Sequence, residues 1–399
     1  MRVLDPLDPL EPLDPLDVDE DVPAAVEARL GEMLERRLAE AEATDPVFAA
    51  DIAARVAQFA LAGGRRLRSE LLWWAMRGCG GEDAEARRAL GAAAALELIQ
   101  TCALVHDDVM DGSSLRRGRP ALHVVLDDQF GSGGRELPCG TFGGAAAVLA
   151  GDLALGWADD AFAECVHGSP AATRAYAIWR AMRTEMVAGQ YLDLRAQVTG
   201  ARSAGQAVRT AVLKTALYTV GHPLALGAAL AGAPERTVRR LREAGRSAGL
   251  AFQLHDDLQG IFGEPAVIGK PVGEDVREGK ATCVLAVARE LCARQGDRAG
   301  LRLLDEVVGA PAAGTRDVAR VLDLLVSCGA RDEVAERIEE LCGDGAEAVA
   351  AAGLSPAAAD RIGLLLRGAC GLDPGGTRPA AEESVRDGAG GRGPIGEDR

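Results

Sequence analysis

Residues 96–120 read LELIQTCALVHDDVMDGSSLRRGRP, and the fold of the chain is organised around this stretch. Asp107 and Asp111 are four residues apart and share one face of a helix, with Asp108 beside them. The segment that precedes them, from Gly91, is almost free of charge, which predicts a deeply buried helix. Carboxylates at the end of such a helix repel one another and lose hydration, so they need a strong counter-charge. Mg²⁺ can supply it, because it typically takes one or two carboxylates together with the oxygens of a substrate phosphate.

A second acidic cluster lies late in another long apolar segment, where residues 252–260 read FQLHDDLQG. Asp256 and Asp257 follow a histidine, as Asp107 and Asp108 do. A solvated helix end or structural ion pairing would explain either cluster alone, but it explains two matching clusters poorly. Two such clusters on buried helices predict two facing halves of one metal-bound cavity in a helical bundle.

Basic residues occur where a polyanionic substrate would need them. Residues 63–68, GGRRLR, form a tight turn entering a helix, where free amides and the helix dipole attract anions. Arg116 and Arg117 follow the first cluster, and guanidinium groups bind phosphate bidentately. The remaining candidates are lysines in an apolar helix and around the loop after the second cluster: Lys214, Lys270 and Lys280. Any one of them is more often a solvated or ion-paired base, but together they predict an anion site beside the acidic clusters.

The composition favours closely packed helices. Of the 399 residues 48% are hydrophobic but only 4% are aromatic, so the core must consist mainly of Ala, Leu and Val. Helical patterns recur from Pro23 to about residue 370, separated by Gly and Pro, and no strand alternation interrupts them. The net charge of −16 argues against a nucleic-acid partner. We therefore predict a single all-α domain.

The cysteines and the chain termini indicate the compartment. The nine cysteines form no CxxC pair, which is typical of reduced thiols in a cytosol. The N-terminus is acidic and proline-rich, unlike a signal peptide. No run of eighteen uninterrupted apolar residues occurs, so no transmembrane segment is expected. We expect a cytoplasmic protein.

Two tails flank the predicted domain. Residues 4–17 read LDPLDPLEPLDPLD, and because proline at every third residue opposes a helix, residues 1–22 are predicted to be extended and disordered. This segment is either a solubilising tail or a docking peptide whose regularly spaced leucines fill the pockets of a partner. A shell that forms a protein nanocompartment, or a consecutive enzyme of one pathway, could be that partner. The Gly-rich residues 374–399 are also predicted to be disordered, which leaves residues 23–373 as the folded domain.

The order of the motifs resembles that of the trans-isoprenyl diphosphate synthases, also called polyprenyl synthetases, over roughly residues 27–368. The motifs are GGRRLRS (63–69), LELIQTCALVHDDVMD (96–111), RRGRP (116–120), AGDLAL (150–155), GQYLD (189–193), LKTA (213–216), FQLHDDLQG (252–260) and FGEPAVIGKPVGEDVREGKAT (262–282). The resemblance implies an isoprenoid synthase-type helical bundle around a deep central cavity, and a homodimer. It also implies a Mg²⁺-dependent prenyltransferase that condenses an allylic diphosphate with isopentenyl diphosphate.

Carried over residue by residue, the resemblance assigns roles to the candidate residues. Three Mg²⁺ per active site would be held by Asp107, Asp108, Asp111, Asp256 and Asp257. The allylic diphosphate would contact Arg116, Lys214, Lys270 and Lys280, and Gln253 would bind substrate from within the second acidic motif. Isopentenyl diphosphate would contact Gly64, Arg65, Arg68, Gln100 and Arg117. Thr215, Gln190 and Asp193 would line the reaction centre, where the dipoles of Thr215 and Gln190 could stabilise a carbocation.

The chain departs from the family pattern at four positions. Gly260 stands where many members have the last Asp of the second motif, so one possible metal ligand is missing. Arg65 replaces a usual Lys, Ser69 a frequent Pro, and Gln100 a His of many bacterial members. None of these changes removes a group that the chemistry requires, but Gly260 is expected to alter the affinity for metal.

The residues before the first acidic cluster bear on product length. In the family they form the floor of the cavity that receives the growing chain, and here they are Cys102 and Ala103, with Ile99 deeper. A floor without an aromatic side chain argues against a farnesyl product and predicts geranylgeranyl diphosphate or a longer one. Trp73 and Trp74 could cap the cavity instead, although core packing is the simpler interpretation.

Two alternatives remain open. A class I terpene cyclase shares the helical fold and one Asp-rich site, but it would lack the second anion site that residues 63–68 and Arg117 predict. A non-catalytic subunit that regulates a partner synthase is the other alternative. The complete set of aspartates and basic residues argues against it.

Overall fold

One long helix, α6 (Asp83–Asp111), occupies the middle of the fold and carries the first acidic cluster at its C-terminal end. The computed structural model describes residues 14–130, 137, 140–200, 203–263, 272–310 and 312–372. Residues 92–95, four alanines, are completely buried, because small side chains allow the neighbouring helices to approach closely. Gly112 ends α6 in the left-handed conformation, with a φ of 64°.

Helices account for nearly all regular structure in the described residues. Before α6 come α1 (Pro15–Glu20), α2 (Val22–Thr44), α3 (Pro46–Phe48), the π-helix π1 (Ala49–Ala53), α4 (Ala54–Leu61) and α5 (Leu67–Gly78). After it come strands β1 (Leu115–Arg116) and β2 (Arg119–Pro120), then α7 (Leu122–Asp128), α8 (Phe142–Val166), α9 (Ala172–Thr199) and α10 (Ala204–Ala211). The rest comprises the π-helix π2 (Val212–Gly221), α11 (His222–Leu230), α12 (Glu235–Phe262), α13 (Glu274–Glu278), α14 (Cys283–Gln295), α15 (Arg298–Val307), α16 (Thr315–Ser327), α17 (Ala330–Ala350) and α18 (Pro356–Ala369).

The helices pack as a bundle in which α6 and α12 hold central positions. Helix α6 packs against α8, α5 and α2, and α12 packs against π2 and α17. Strands β1 and β2 form a small antiparallel hairpin directly after the first acidic cluster. The prediction of an all-α fold is confirmed.

The N-terminal segment differs from the sequence-based expectation over residues 15–22. Pro15 begins α1 rather than excluding it, because proline is tolerated in the first helical turn, and the Asp14 side chain caps that turn by accepting from Leu16 N at 2.9 Å. Asp19 then accepts hydrogen bonds from Trp73 Nε1 at 2.8 Å and from Arg77 Nη2 at 2.9 Å. Residues 1–13 and 373–399 lie outside the described residues, so disorder there stays a prediction.

Two further expectations concern cysteines and membranes. No disulfide occurs among the eight cysteines that the structure describes. One described helix, α6, is long and apolar enough to cross a membrane by composition alone. However, 78% of its most apolar window is buried inside the structure, as in a core helix.

Candidate active site

Both acidic clusters line one cavity of about 1050 Å³. Asp107 and Asp111 enter it from α6, and Asp256 enters it from α12. Away from these carboxylates the lining becomes apolar and includes Leu155 of α8 and Val187 of α9. The two clusters therefore line one cavity, as the sequence predicted, and the binding of metal there stays a prediction.

Ion pairs with Arg116 and Lys214 hold the first cluster. Arg116, in the hairpin, donates to Asp107 from Nη2 at 3.2 Å and to Asp108 from Nε at 2.8 Å. Lys214 Nζ lies 3.1 Å from Asp107 Oδ1 and 2.7 Å from Asp193 Oδ2, and thereby joins π2 to α6 and α9. Two of the predicted diphosphate-binding cations are thus in place beside the predicted metal ligands.

The balance between burial and counter-charge differs along the cluster. Burial alone would raise the pKa of Asp107, but Lys214 and Arg116 outweigh burial and hold that pKa below its ordinary value. Burial outweighs Arg116 at Asp108 and raises its pKa. The pKa of Asp111 is also raised, by burial and by the nearby charge of Asp107. Counter-charge therefore outweighs burial at Asp107, whereas burial outweighs counter-charge at Asp108 and Asp111.

The carboxylates fit Mg²⁺ as a further counter-charge. Asp108 Oδ2 and Asp111 Oδ1 are buried without a hydrogen-bond partner, so each retains an oxygen able to ligate. No group of three ligating side chains converges on one point among the described residues, and Lys214 and Lys280 pair with Asp107 and Asp111. Mg²⁺ needs no such protein cage, since it keeps waters and takes phosphate oxygens beside one or two carboxylates.

In the second cluster the two aspartates differ sharply. Asp256 is exposed to the cavity, whereas Asp257 is buried and accepts from Gln253 Nε2 at 2.7 Å and from Cys283 N at 3.1 Å. Burial raises the pKa of Asp257 to about 7. Because both Asp257 oxygens are engaged by protein donors, this residue fits a role in joining α12 to α14 better than the predicted role in metal binding.

The gap at Gly260 is filled from another helix. A Cβ atom at this position would overlap Asp275 Oδ2, so the carboxylate of Asp275, from α13, occupies the space that a side chain at 260 would take. Asp275 also lines the cavity. Lys280 Nζ stands between the clusters, 3.6 Å from Asp111 and 3.7 Å from Asp275. Asp275 lies within the 262–282 motif, but it was not among the metal ligands predicted from the sequence.

A second cationic group lines the cavity near the hairpin. Arg117 has a positive φ of 54° at the hairpin turn, and a Cβ atom at Gly64 would lie 3.1 Å from its Nη2. Arg68 donates to Thr219 Oγ1 at 2.8 Å, but its Nε is buried without a partner, as is Gln100 Oε1. These side chains therefore retain hydrogen-bonding capacity for a second ligand.

Several predicted residues lie elsewhere. Arg65 is exposed and outside the cavity lining. Ile99 is completely buried in the hydrophobic core, one turn beyond Cys102 and Ala103, which do line the cavity. Trp73 and Trp74 do not reach the cavity either, and Trp73 is bound to Asp19. Lys270 lies outside the described residues, so its role stays a prediction.

Lys214 and Thr215 lie on π2, whose wide turns are a common feature of functional sites. Gly189 of α9 allows π2 to approach closely, since a Cβ atom there would overlap Lys214 N. Gly249 of α12 does the same for Ala216. Three helices therefore meet almost backbone to backbone, which fixes Lys214 and Thr215 at the cavity together with Gln190.

Comparison with known proteins gives a consistent result. The polyprenyl synthetase family model matches residues 50–325. A geranylfarnesyl diphosphate synthase of Aeropyrum pernix is 32% identical over 69% of this chain and 80% of its own. A geranylgeranyl diphosphate synthase of Mycobacterium tuberculosis is 35% identical over 69% of this chain and 71% of its own. Among solved structures, this chain is similar to the geranylgeranyl pyrophosphate synthase of Corynebacterium glutamicum, which is complexed with isoprenyl diphosphate and magnesium. The two chains are 33% identical with a TM-score of 0.82, and the match covers 90% of this chain and 100% of that one.

The close approach at Gly189 leads to a mutational prediction. We expect Gly189→Ala to push π2 away from α9, which would displace Lys214 and lower kcat for prenyl transfer by about 10²-fold. Overpacking should also lower the free energy of unfolding by roughly 1–3 kcal/mol. Steady-state kinetics and urea unfolding would measure the two effects.

The matched control is Gly363→Ala in α18, where an added Cβ would meet nothing within 4 Å. This variant should keep the wild-type kcat. A Gly189→Ala enzyme with normal kcat would show that the close approach does not position Lys214.

Proposed function

The chain belongs to the polyprenyl synthetase family, whose members are trans-prenyltransferases, and we propose that its product is geranylgeranyl diphosphate. The observation that carries the proposal is that one cavity has Asp107, Asp256 and Lys214 at its charged end and the apolar side chains of Leu155, Met186 and Val187 further along its lining. The charged end suits the diphosphate of an allylic substrate. The apolar part suits the hydrocarbon that grows from it.

The first chemical step is cleavage of the carbon–oxygen bond of the allylic diphosphate. Lys214, Arg116 and Lys280 would bind the departing pyrophosphate and stabilise the charge that develops on its oxygens. The family is Mg²⁺-dependent, and bound Mg²⁺ would neutralise the same oxygens and orient the leaving group. We propose that Asp107, Asp108, Asp111 and Asp256 hold three such ions.

The second step joins the two substrates. Arg68, Gln100 and Arg117 would hold the diphosphate of isopentenyl diphosphate, so that its alkene attacks the allylic cation. A new carbon–carbon bond forms, and loss of a proton gives the lengthened diphosphate. Gln190 and Thr215 line the cavity, where their dipoles would stabilise the cation, and the apolar lining would keep out the water that would quench it.

The proposed product length rests on the small side chains below the first acidic cluster. Cys102 and Ala103 line the cavity, and neither blocks it as an aromatic side chain would. Geranylgeranyl diphosphate synthases are also among the relatives, together with a farnesyl and a geranylfarnesyl diphosphate synthase. A class I cyclase would have no use for the second cationic group of Arg68 and Arg117.

The test is an assay with radiolabelled isopentenyl diphosphate, Mg²⁺ and dimethylallyl, geranyl or farnesyl diphosphate. We expect chain elongation that ends at the geranylgeranyl product. Lys214→Ala should lower kcat by about 10²–10³-fold, because it removes a charge that stabilises the leaving group.

Arg209→Ala, an exposed position on the preceding helix α10, serves as the control and should not change kcat. Release of a hydrocarbon in place of an elongated diphosphate would support a cyclase. No turnover at all, by a folded enzyme, would support a regulatory subunit.

We further propose that the enzyme is a homodimer formed through α8 and α9. These helices carry apolar side chains that are exposed in the single chain and lie outside the cavity lining: Leu149 is 63% exposed, Val148 43% and Tyr176 42%. Exposed apolar side chains gathered on adjacent helices are typical of subunit interfaces, and a twofold axis would bring the same surface of two copies together.

Sedimentation velocity would test the dimer. The wild-type enzyme should sediment as a dimer at micromolar concentration, and Leu149→Asp should shift it toward the monomer. Val326→Asp, at a position 46% exposed on α16, is the control and should leave the dimer intact. A monomeric wild-type enzyme would refute the proposal.

We also propose that residues 1–13 dock the cytoplasmic enzyme to a partner, a shell-forming protein or an enzyme of the same pathway. The support is the regular spacing of leucine in the Leu, acid and Pro repeat, which would present side chains to successive pockets. The last residues of the repeat, 15–17, belong to α1, so the proposed docking segment is the part of the repeat that precedes this helix.

Deletion of residues 1–13 should abolish co-purification of such a partner from the native cells and leave kcat unchanged. Deletion of residues 1–22 is a poorer test, since it also removes Asp19 and its bonds to Trp73 and Arg77. Replacing Leu7 and Leu10 by Ser should weaken capture more than replacing Asp5 and Asp8 by Asn. Undiminished capture after deletion of residues 1–13 would contradict the docking role.

A further inference from the structure

Helices α8 and α9 converge at a small cluster of aromatic and charged side chains. The Phe162 and Trp179 rings are stacked, with centroids 4.3 Å apart and planes within 8° of parallel, and both side chains are buried. Trp179 Nε1 donates to Asp159 Oδ1 at 2.7 Å, and Arg183 Nη1 donates to the other oxygen of the same carboxylate. Both oxygens of Asp159 are therefore engaged, and α8 and α9 are joined at this point.

The active-site cavity lies directly beside this cluster. Leu155 lies one turn from Asp159 on α8, and Met186 and Val187 lie one turn from Arg183 on α9. All three apolar side chains line the cavity, as does Arg183 itself. Trp179, one turn further along α9, does not. This end of the cavity therefore lies beside α8 and α9, which the Asp159–Arg183 ion pair joins.

The same stripe of α9 runs from the reaction centre to this ion pair. Asp193 binds Lys214 at the charged end, Gln190 and Met186 follow along the cavity, and Arg183 comes last. Ten residues separate Asp193 from Arg183, which corresponds to about 15 Å along a helix. Arg183 therefore lies at the end of the cavity where the tail of a growing prenyl chain would arrive.

We propose that the Asp159–Arg183 ion pair, backed by the Trp179–Phe162 stack, is the stop that limits the length of the prenyl product. A hydrocarbon that reached Arg183 would have to strip water from a charged pair or displace an arginine held by a fixed carboxylate. The Arg183 and Asp159 side chains are 32% and 38% exposed, so contact with a hydrocarbon would remove water from both charges. In this view Cys102 and Ala103 form a side wall, and the end wall lies on α8 and α9.

The inference rests on the proposed elongation reaction and is tested with the full-length enzyme. Products from isopentenyl diphosphate and farnesyl diphosphate, with Mg²⁺, are dephosphorylated and their lengths determined by mass spectrometry. Arg183→Ala should lengthen the main product by at least one isoprene unit. Asp159→Asn should shift it in the same direction but less, because Asp159 acts by positioning Arg183. Thr184→Phe, which adds volume at a cavity-lining position beside the stop, should shorten it.

The matched control is Arg180→Ala, on an exposed face of α9 outside the cavity lining, which should keep the wild-type product. The rate of the first condensation separates a change of length from general damage, and it should stay within about threefold in every variant. An active Arg183→Ala enzyme with the wild-type product length would overturn the inference. If that variant fails to fold, an unchanged length in Thr184→Phe would overturn it equally. A wild-type enzyme without elongation would refute the proposed function instead.

Discussion

The accumulation of negative charge at the C-terminal end of α6 is the constraint on which the rest of the structure depends. The helix dipole already places partial negative charge there, and Asp107, Asp108 and Asp111 add to it in a largely buried setting. Arg116 from the hairpin and Lys214 from π2 form ion pairs with these carboxylates. The short hairpin places Arg116 at the C-terminal end of α6. The π-helix π2, which packs closely against the glycines of α9 and α12, places Lys214 there.

Much of this site could be predicted because its residues are local in sequence. The aspartates stand four residues apart on one predicted helix, and Arg116 follows within a single turn and hairpin. The alternation of apolar helices with Gly and Pro was enough for the all-α fold. Even the convergence of α6 and α12 followed from two matching acidic clusters, since each cluster alone would be poorly compensated.

Contacts between residues that are distant in the sequence could not be predicted, and neither could exceptions to local sequence rules. The Asp275 carboxylate occupies the space beside Gly260, but no residue near Gly260 in the sequence predicts that a carboxylate from another helix would lie there. Asp256 and Asp257 are neighbours in one motif, and the sequence does not distinguish them. In the structure Asp257 is buried and hydrogen-bonded, whereas Asp256 is exposed to the cavity. Pro15 begins a helix within a repeat whose prolines oppose one, and Asp19 of this helix bonds to Trp73 and Arg77 of α5, which are distant in sequence.

The contact of α1 with α5 has a consequence for the proposed docking of the enzyme through residues 1–13. Helix α5 has Arg68 near its first turn, at the cavity, and Arg77 near its last turn, where Asp19 of α1 binds it. Nine residues of helix separate these two arginines, or about 14 Å. The described residues begin at Asp14, which lies beside Arg77 at the end of α5 away from the cavity. If residues 1–13 dock as proposed, substrate and product could still enter and leave the cavity of the docked enzyme.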